Sequence, residues 1–214
     1  MKKIIAVFLI VLLCGCTSVT KENIASQLNE VFSSESEIIP LVSNTSSDLY
    51  SYYLPSDMQE KDYGDEYIYL GYENSEVLIN LNVGGIIGSR YYGVVLTDDG
   101  FFDLKNSIYV HSGELKDPRG RDIRFNYKVS EKDGKYYVLL TTGEICMYGC
   151  STPSELKEFT RHLMTLTRSF EVRDDAIVSL YSRKGIIDYQ KKQVDLFEKI
   201  IPSSGILEEL IVEN

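Results

Sequence analysis

The chain has 214 residues, of which 43% are hydrophobic and 25% charged, with a formal net charge of −10. These proportions suit a globular protein, and the length suits one domain or one domain with an appendage. An acidic chain carries no electrostatic footprint for nucleic acid and gains nothing from anionic lipid headgroups, so neither is an expected electrostatic partner.

The chain opens Met1-Lys2-Lys3, continues through an apolar run from Ile4 to Leu13, and reaches Cys14-Gly15-Cys16. That is a basic segment, a short hydrophobic segment and a small residue before a cleavage point. The apolar run is only ten residues long, whereas a membrane-crossing helix needs about 20. Ordinary signal peptidase prefers small residues at two positions; Gly15 fits one, and Leu13 does not fit the other. Leu13-Cys14-Gly15-Cys16 resembles the lipobox of bacterial lipoproteins, although Cys14 stands where Ala or Ser is usual. The resemblance implies removal of residues 1–15 as a lipoprotein signal peptide and a diacylglycerol on the Cys16 sulfur. The protein would then sit on the extracytoplasmic face of the cell membrane, within the envelope, and its acyl chains alone would hold it stably. Losing Lys2 and Lys3 with that segment moves the net charge from −10 to −12 and leaves 199 residues.

Residues 16–48 read as a lipid-anchored tether, polar apart from a short amphipathic helix. Thr20 can cap that helix, and Ile24, Leu28, Val31 and Phe32 recur at helical spacing. Its apolar face is expected on the body or on a partner. From residue 49 the pattern becomes β. Tyr50 to Leu54 is a short strand stopped by Pro55. Glu66 to Tyr72 and Glu76 to Val83 form a hairpin around Glu73-Asn74-Ser75, the second strand having one wetter face. Gly84-Gly85 and Gly88 suggest a bulge or tight bend rather than a phosphate loop, since neither nucleotide-loop spacing is matched. Tyr91 to Leu96 suggests a further strand, and Phe101 to Val110 is ambiguous. Arg121 to Val129 alternates, Asp133-Gly134 turns the chain, and Tyr136 to Thr142 returns.

Thr152-Pro153-Ser154-Glu155 has the form of a capping box with proline at the first helical position. Behind it Leu156, Phe159, Leu163, Leu166 and Phe170 form a core-facing stripe. Residues 173–214 read as a C-terminal strand, over Ala176 to Tyr181, and a helical appendage over Ile186 to Ile201. The tail from Ile206 to Val212 would pack on the body or act as an interaction segment. Cys146 and Cys150 are a candidate disulfide in an oxidising compartment; the alternative is two separate thiols near a strand end. No metal site is expected from His111 and His162, and no cofactor motif occurs.

Two stretches carry a second resemblance. Tyr52-Tyr53-Leu54-Pro55-Ser56-Asp57 resembles the opening segment of PsbP-like domains, although Met58 stands where an aromatic residue is usual. Leu163 to Phe170, ending Arg168-Ser169-Phe170, is similar to the end of their C-terminal helix. The resemblance covers residues 49–172 and implies an α+β core domain: an antiparallel sheet sandwiched by helices. It implies no enzyme activity and no fixed ligand.

Serine, cysteine and metal hydrolase motifs are absent, and Asp98-Asp99 and Asp174-Asp175 lack calcium-loop spacing. The chain has 16 tyrosines and no tryptophan. Tyrosine suits half-buried strands, but Tyr67, Tyr69, Tyr72, Tyr91 and Tyr92 are also a candidate binding surface. The expected function is a non-enzymatic, membrane-anchored binding module for a protein or cell-envelope partner. A small-ligand or glycan receptor with a pocket between sheet and helices is the alternative, and a cryptic hydrolase the third reading.

Overall fold

The computed structural model describes residues 21–35, 41–93, 102–181 and 211–213. The lipobox with Cys16, the Asp98-Asp99 pair and the helix expected over residues 186–201 lie outside them. The chain is α+β with antiparallel sheets. Helix α1 spans Lys21–Glu35. Strands β1 (Thr45–Ser46), β2 (Tyr50–Tyr52), β3 (Gln59–Tyr63), β4 (Tyr67–Tyr72) and β5 (Ser75–Leu81) follow. Helix α2 is Val83–Tyr92. Strands β6 (Phe102–Leu104), β7 (Tyr109–Lys116), β8 (Asp122–Lys132), β9 (Lys135–Thr142) and β10 (Ile145–Ser151) precede helix α3, Leu156–Ser169. Strand β11 (Glu171–Val172), helix α4 (Asp174–Tyr181) and strand β12 (Ile211–Glu213) complete the described elements.

Seven strands form one sheet in the order β3-β4-β5-β10-β9-β8-β7, every neighbouring pair antiparallel. Two meanders build it, and β5 pairing with β10 joins them. The β8–β9 turn holds Asp133 and Gly134 at φ of 52° and 74°, the paired positive angles that match the twist of a tight hairpin. Three short strands, β1-β2-β11, form a second sheet, and β12 pairs with β6.

One face of the large sheet carries Ile68, Val77, Ile79, Met147, Leu140, Val138, Phe125 and Tyr127 into the core. Ile24, Leu28, Val31 and Phe32 of α1 and Leu156, Phe159, Leu163 and Leu166 of α3 meet them, so both helical stripes read from the sequence are buried. The buried Tyr127 hydroxyl donates to Thr160 Oγ1 at 2.7 Å, and Thr160 passes its own proton to the Leu156 carbonyl. These two buried hydroxyls are thus paired in a chain. Helix α1 is further tied to α3 by Lys157 Nζ on Glu30 at 2.8 Å, and to β7 by Tyr109 on Asn29 at 2.6 Å.

Four expectations are corrected. The wetter face of β5 does not exist: Leu78 and Asn80 are as buried as Val77 and Ile79, because β5 lies inside the sheet and is covered on both sides. The glycine-rich bend is part of a helix, α2, which also takes in Tyr91 and Tyr92, where the sequence predicts a strand to begin; residues 94–96 of that expected strand lie outside the described residues. Asn82 caps the helix, its side chain accepting the Gly85 N–H at 2.9 Å, and Gly93 closes it in the left-handed region at φ 63°. Ala176 to Tyr181 is helical, not extended. Asp174 and Asp175 occupy its first turn, where acidic side chains favour the helix dipole, and Ile177 and Tyr181 are buried four residues apart. Finally, the capping box is not formed. Helix α3 has no side-chain cap, and the Glu155 carboxylate points sideways to Ser75 at 2.6 Å and Asn74 at 2.8 Å. Burial alone would raise that carboxyl's pKa; the hydrogen bonds outweigh it and hold it below the usual carboxylate range.

Candidate functional site: a charged cleft at one end of the sheet

The five tyrosines singled out in the sequence are not brought together. Tyr67 and Tyr69 share the outer face of β4, with hydroxyls donated to Asp62 and Glu76 respectively. Tyr72 points to the opposite face and meets the ring of His162 edge-on at 4.5 Å. Tyr91 stands on α2, 58% exposed, and the side chain of Tyr92 is outside the described part.

The candidate disulfide is corrected. Cys146 and Cys150 are free thiols. Both lie on the extended strand β10, four residues apart, a separation of about 13 Å, whereas a disulfide needs Cα atoms within about 7 Å. Cys146 is buried against apolar surroundings that push its thiol up to about 12. The histidines lie on the other side of the sheet. His111 stacks on Phe32 with centroids 4.1 Å apart and on Tyr109, lies tilted against Phe125, and burial lowers its pKa. His162 Nε2 is 3.1 Å from Asp57 Oδ2.

The site that the fold does assemble is a cleft of about 670 Å³. Its walls are the start of α2, the β7–β8 turn, the β9–β10 turn, the end of α3 and Asp174 at the head of α4. Local chemistry explains each wall. In the β7–β8 turn, Asp117-Pro118-Arg119-Gly120-Arg121, the buried Asp117 carboxylate accepts the N–H groups of Arg119 at 2.9 Å and Arg121 at 2.7 Å. Its other oxygen accepts Arg121 Nε at 2.6 Å. One aspartate therefore folds the turn and aims the guanidinium. In the β9–β10 turn, Thr142 Oγ1 accepts the N–H groups of Glu144 and Ile145. The Glu144 carbonyl accepts the Asn82 N–H at 2.8 Å. That bond draws the start of α2 against the turn. A Cβ on Gly85 would lie 2.8 Å from the Gly143 carbonyl oxygen, so a residue without one stands there.

Arg121 reaches from Asp117 toward Glu144, with Nη2 3.6 Å from Oε1. Burial alone would raise the Asp117 pKa, but the bonds from Arg121 hold it below the usual range, and the same bond raises that of Arg121. Glu144 behaves oppositely. Burial pushes its carboxyl up to about 7, Arg121 opposes this, and the charges of Asp174 and Asp117 add to the rise. The cleft thus holds one carboxyl fixed as an anion and another poised between its two forms near neutrality. A carboxyl shifted this far inside a concavity makes the cleft the candidate functional site.

Arg90 and Arg124 also line the cleft but are engaged with Asp175 at 3.1 Å and Glu114 at 2.9 Å. Asp122 is engaged with Lys116. Among the described residues no group of three or more His, Cys, Asp or Glu is placed to hold a metal ion, and no helix is long and apolar enough to cross a membrane. Of these residues the sequence reading singled out only the Gly84-Gly85 pair and Asp174. The Asp-Pro-x-Gly run at residue 117 was the available signal for the rest, because it marks a tight turn whose aspartate is committed to the backbone. No protein-family pattern matches the chain, and no curated protein proves similar to it.

Proposed function

We propose that the protein is a lipid-anchored, extracytoplasmic binding module that performs no chemical step, with the charged cleft as its recognition site. The observation that carries this reading is the pairing, in one concavity, of an aimed guanidinium with a carboxyl that burial keeps near neutrality. This favours a small-ligand receptor over capture of a partner on a tyrosine face, because Tyr72 and Tyr91 leave the face that Tyr67 and Tyr69 share. The sheet edges argue the same way. β3 is exposed throughout, carries Glu60, Lys61 and Asp62, and is broken by a bulge, which blunts strand addition by a partner.

The anchor rests on the Leu13 to Cys16 lipobox. The body is read as PsbP-like, and the two stretches that carry that resemblance meet. Tyr53 N–H donates to Ser169 Oγ at 3.0 Å, Phe170 stacks on Tyr50 and Tyr52, and Asp57 reaches His162.

Two measurements test the proposal. Cys16→Ser is expected to move the protein from the membrane fraction to the soluble fraction; unchanged retention overturns the anchor. Melting curves recorded with the small-molecule and macromolecular fractions of an envelope extract test the receptor. A rise with the small-molecule fraction that Glu144→Gln abolishes is expected. A rise with macromolecules alone overturns the cleft in favour of a surface.

A further inference from the structure

We infer that the cleft takes a small zwitterion, an amino acid or short peptide, with its carboxylate on Arg121 and its ammonium between Glu144 and Asp174. The inference rests on the receptor reading above and names the chemistry of its ligand. Four of the charges at the cleft are spent. Asp117 accepts three hydrogen bonds from its own turn, Asp122 meets Lys116, Arg90 meets Asp175 and Arg124 meets Glu114. Three groups have capacity left. Arg121 uses Nε on Asp117 and lines the cavity, and among the described residues its outer nitrogens make only the long 3.6 Å contact from Nη2 to Glu144. Among the described residues Glu144 makes only the long 3.6 Å contact to Arg121, and the charge of Arg119 acts on it from farther off. Asp174 makes no side-chain hydrogen bond or ion pair among the described residues, and its charge is close enough to act on both Glu144 and Arg121.

A ligand of one sign would meet an opposing group whichever way it entered. An anion on Arg121 lies beside Glu144 and Asp174, and a cation between those carboxylates lies beside Arg121. A molecule carrying both signs satisfies all three. Arginine suits the carboxylate end because its planar fork matches two oxygens at once, and the aspartate behind it keeps that fork from rotating. The ammonium end brings a linkage: it favours the ionised form of Glu144, so binding near neutrality releases a proton and strengthens as pH rises from 5 to 8.

The test is titration calorimetry of residues 17–214 against the twenty free amino acids and the dipeptides Gly-Gly and Ala-Ala. Each ligand that binds is repeated as its C-terminal amide and its N-acetyl derivative. At least one zwitterion is expected to bind, with each blocked form weaker by roughly tenfold or more. The measured heat is expected to change with the ionisation enthalpy of the buffer, and Glu144→Gln is expected to remove that dependence. Asp174→Asn, on a partly exposed side chain, is expected to weaken binding about fivefold while lowering the melting temperature only slightly, through the lost dipole interaction at the head of α4. Equal binding of the amide would make the cleft a cation site, and equal binding of the N-acetyl form an anion site; either overturns the inference. No binding by any amino acid or dipeptide also overturns it. If the envelope small-molecule fraction still raises the melting temperature in that case, the receptor reading stands without the zwitterion.

Discussion

Two half-buried titratable residues, His111 on β7 and Glu144 in the β9–β10 turn, are treated in opposite ways. His111 lies between the tether helix and the sheet, its ring parallel to Phe32 at 8° and to Tyr109 at 7°. Glu144 lies at the mouth of the cleft, beside an arginine that another aspartate already holds. Burial disfavours the charged form of both, lowering the histidine and raising the glutamate. The histidine's neutral form is satisfied by aromatic surface, so it behaves as a packing residue. The glutamate's neutral form is favoured by lack of solvent, with the unspent charge of Asp174 near it. Perturbation alone therefore does not mark a site; what separates the two is whether the surroundings complete the group or leave it open to a further partner.

The largest expected effect comes from removing the aromatic side of that contrast. Phe32 is buried and touches four aromatic rings. Phe32→Ala should destabilise the protein by about 3 kcal/mol in urea unfolding, and an NMR titration should show the His111 pKa returning toward 6.5. An unchanged histidine pKa would mean that the sheet, and not α1, desolvates the ring. Next comes Asp117→Ala. It leaves two backbone N–H groups and the Arg121 side chain without their acceptor, for a loss of about 2–3 kcal/mol. It should also lower the Glu144 pKa, since a negative neighbour is gone and Arg121 is free to turn to it. A glutamate that stays near 7 in this variant would show that burial alone sets its value.

The two regions were not equally legible in the sequence. The α1 stripe, the α3 stripe and the β8 alternation each repeat over several turns or strand residues. Periodicity of that kind reports burial directly, which is why Phe159 reads as core-facing and Phe32 as part of an apolar face destined for the body or a partner; the structure buries both in the core. The cleft is built from single residues on five separate turns and helix ends, and nothing local relates Asp117 to Glu144 or Asp174. Where local signals existed they were ambiguous. Gly84-Gly85 looked like a bend because glycine weakens helices, but the Asn82 cap and tertiary packing against α4 override that preference. Cys146 and Cys150 suggested a bond only while β10 was unrecognised. Its Ile145 to Ser151 run is buried on both faces and so lacks the alternation that marks β8.

Glu144→Gln sharpens the comparison from the cleft side. The folded-state pKa, about 7, stands above the ordinary 4.5. Stability tied to this group is therefore fully present below pH 4.5 and is lost as pH rises toward 7, while the unfolded chain ionises and the folded one does not. The glutamine variant escapes that loss. It should match the parent protein near pH 4.5 and exceed it at pH 8 by on the order of 2 kcal/mol, a figure reduced from the full shift because the side chain is partly exposed. A variant no more stable at pH 8 would mean that Arg121 already compensates the ionised carboxylate.

The smallest effect is the mirror of this one and belongs to His111. Its folded-state pKa is depressed below 6.5. The stability it contributes is present above pH 6.5 and is lost as pH falls through the lower folded value, because the unfolded chain takes up the proton first. The charged groups near this helix–sheet contact, Glu30 with Lys157 and Arg161, are paired with one another on the outer side of α1, so the aromatic stack is left to set the response. His111→Phe keeps the stacked shape and removes the titration. Urea unfolding at pH 5.5 and 7.5 should show the parent protein losing stability at the lower pH relative to this variant, with no difference in slope above neutrality. Combined with Glu144→Gln, this variant should respond less to pH on both sides, because the packing contact governs the acid side of the parent protein and the cleft its alkaline side. If His111→Phe leaves the acid response unchanged, the histidine is solvated in spite of its stack, and the division between a completed group and an open one fails at its simpler end.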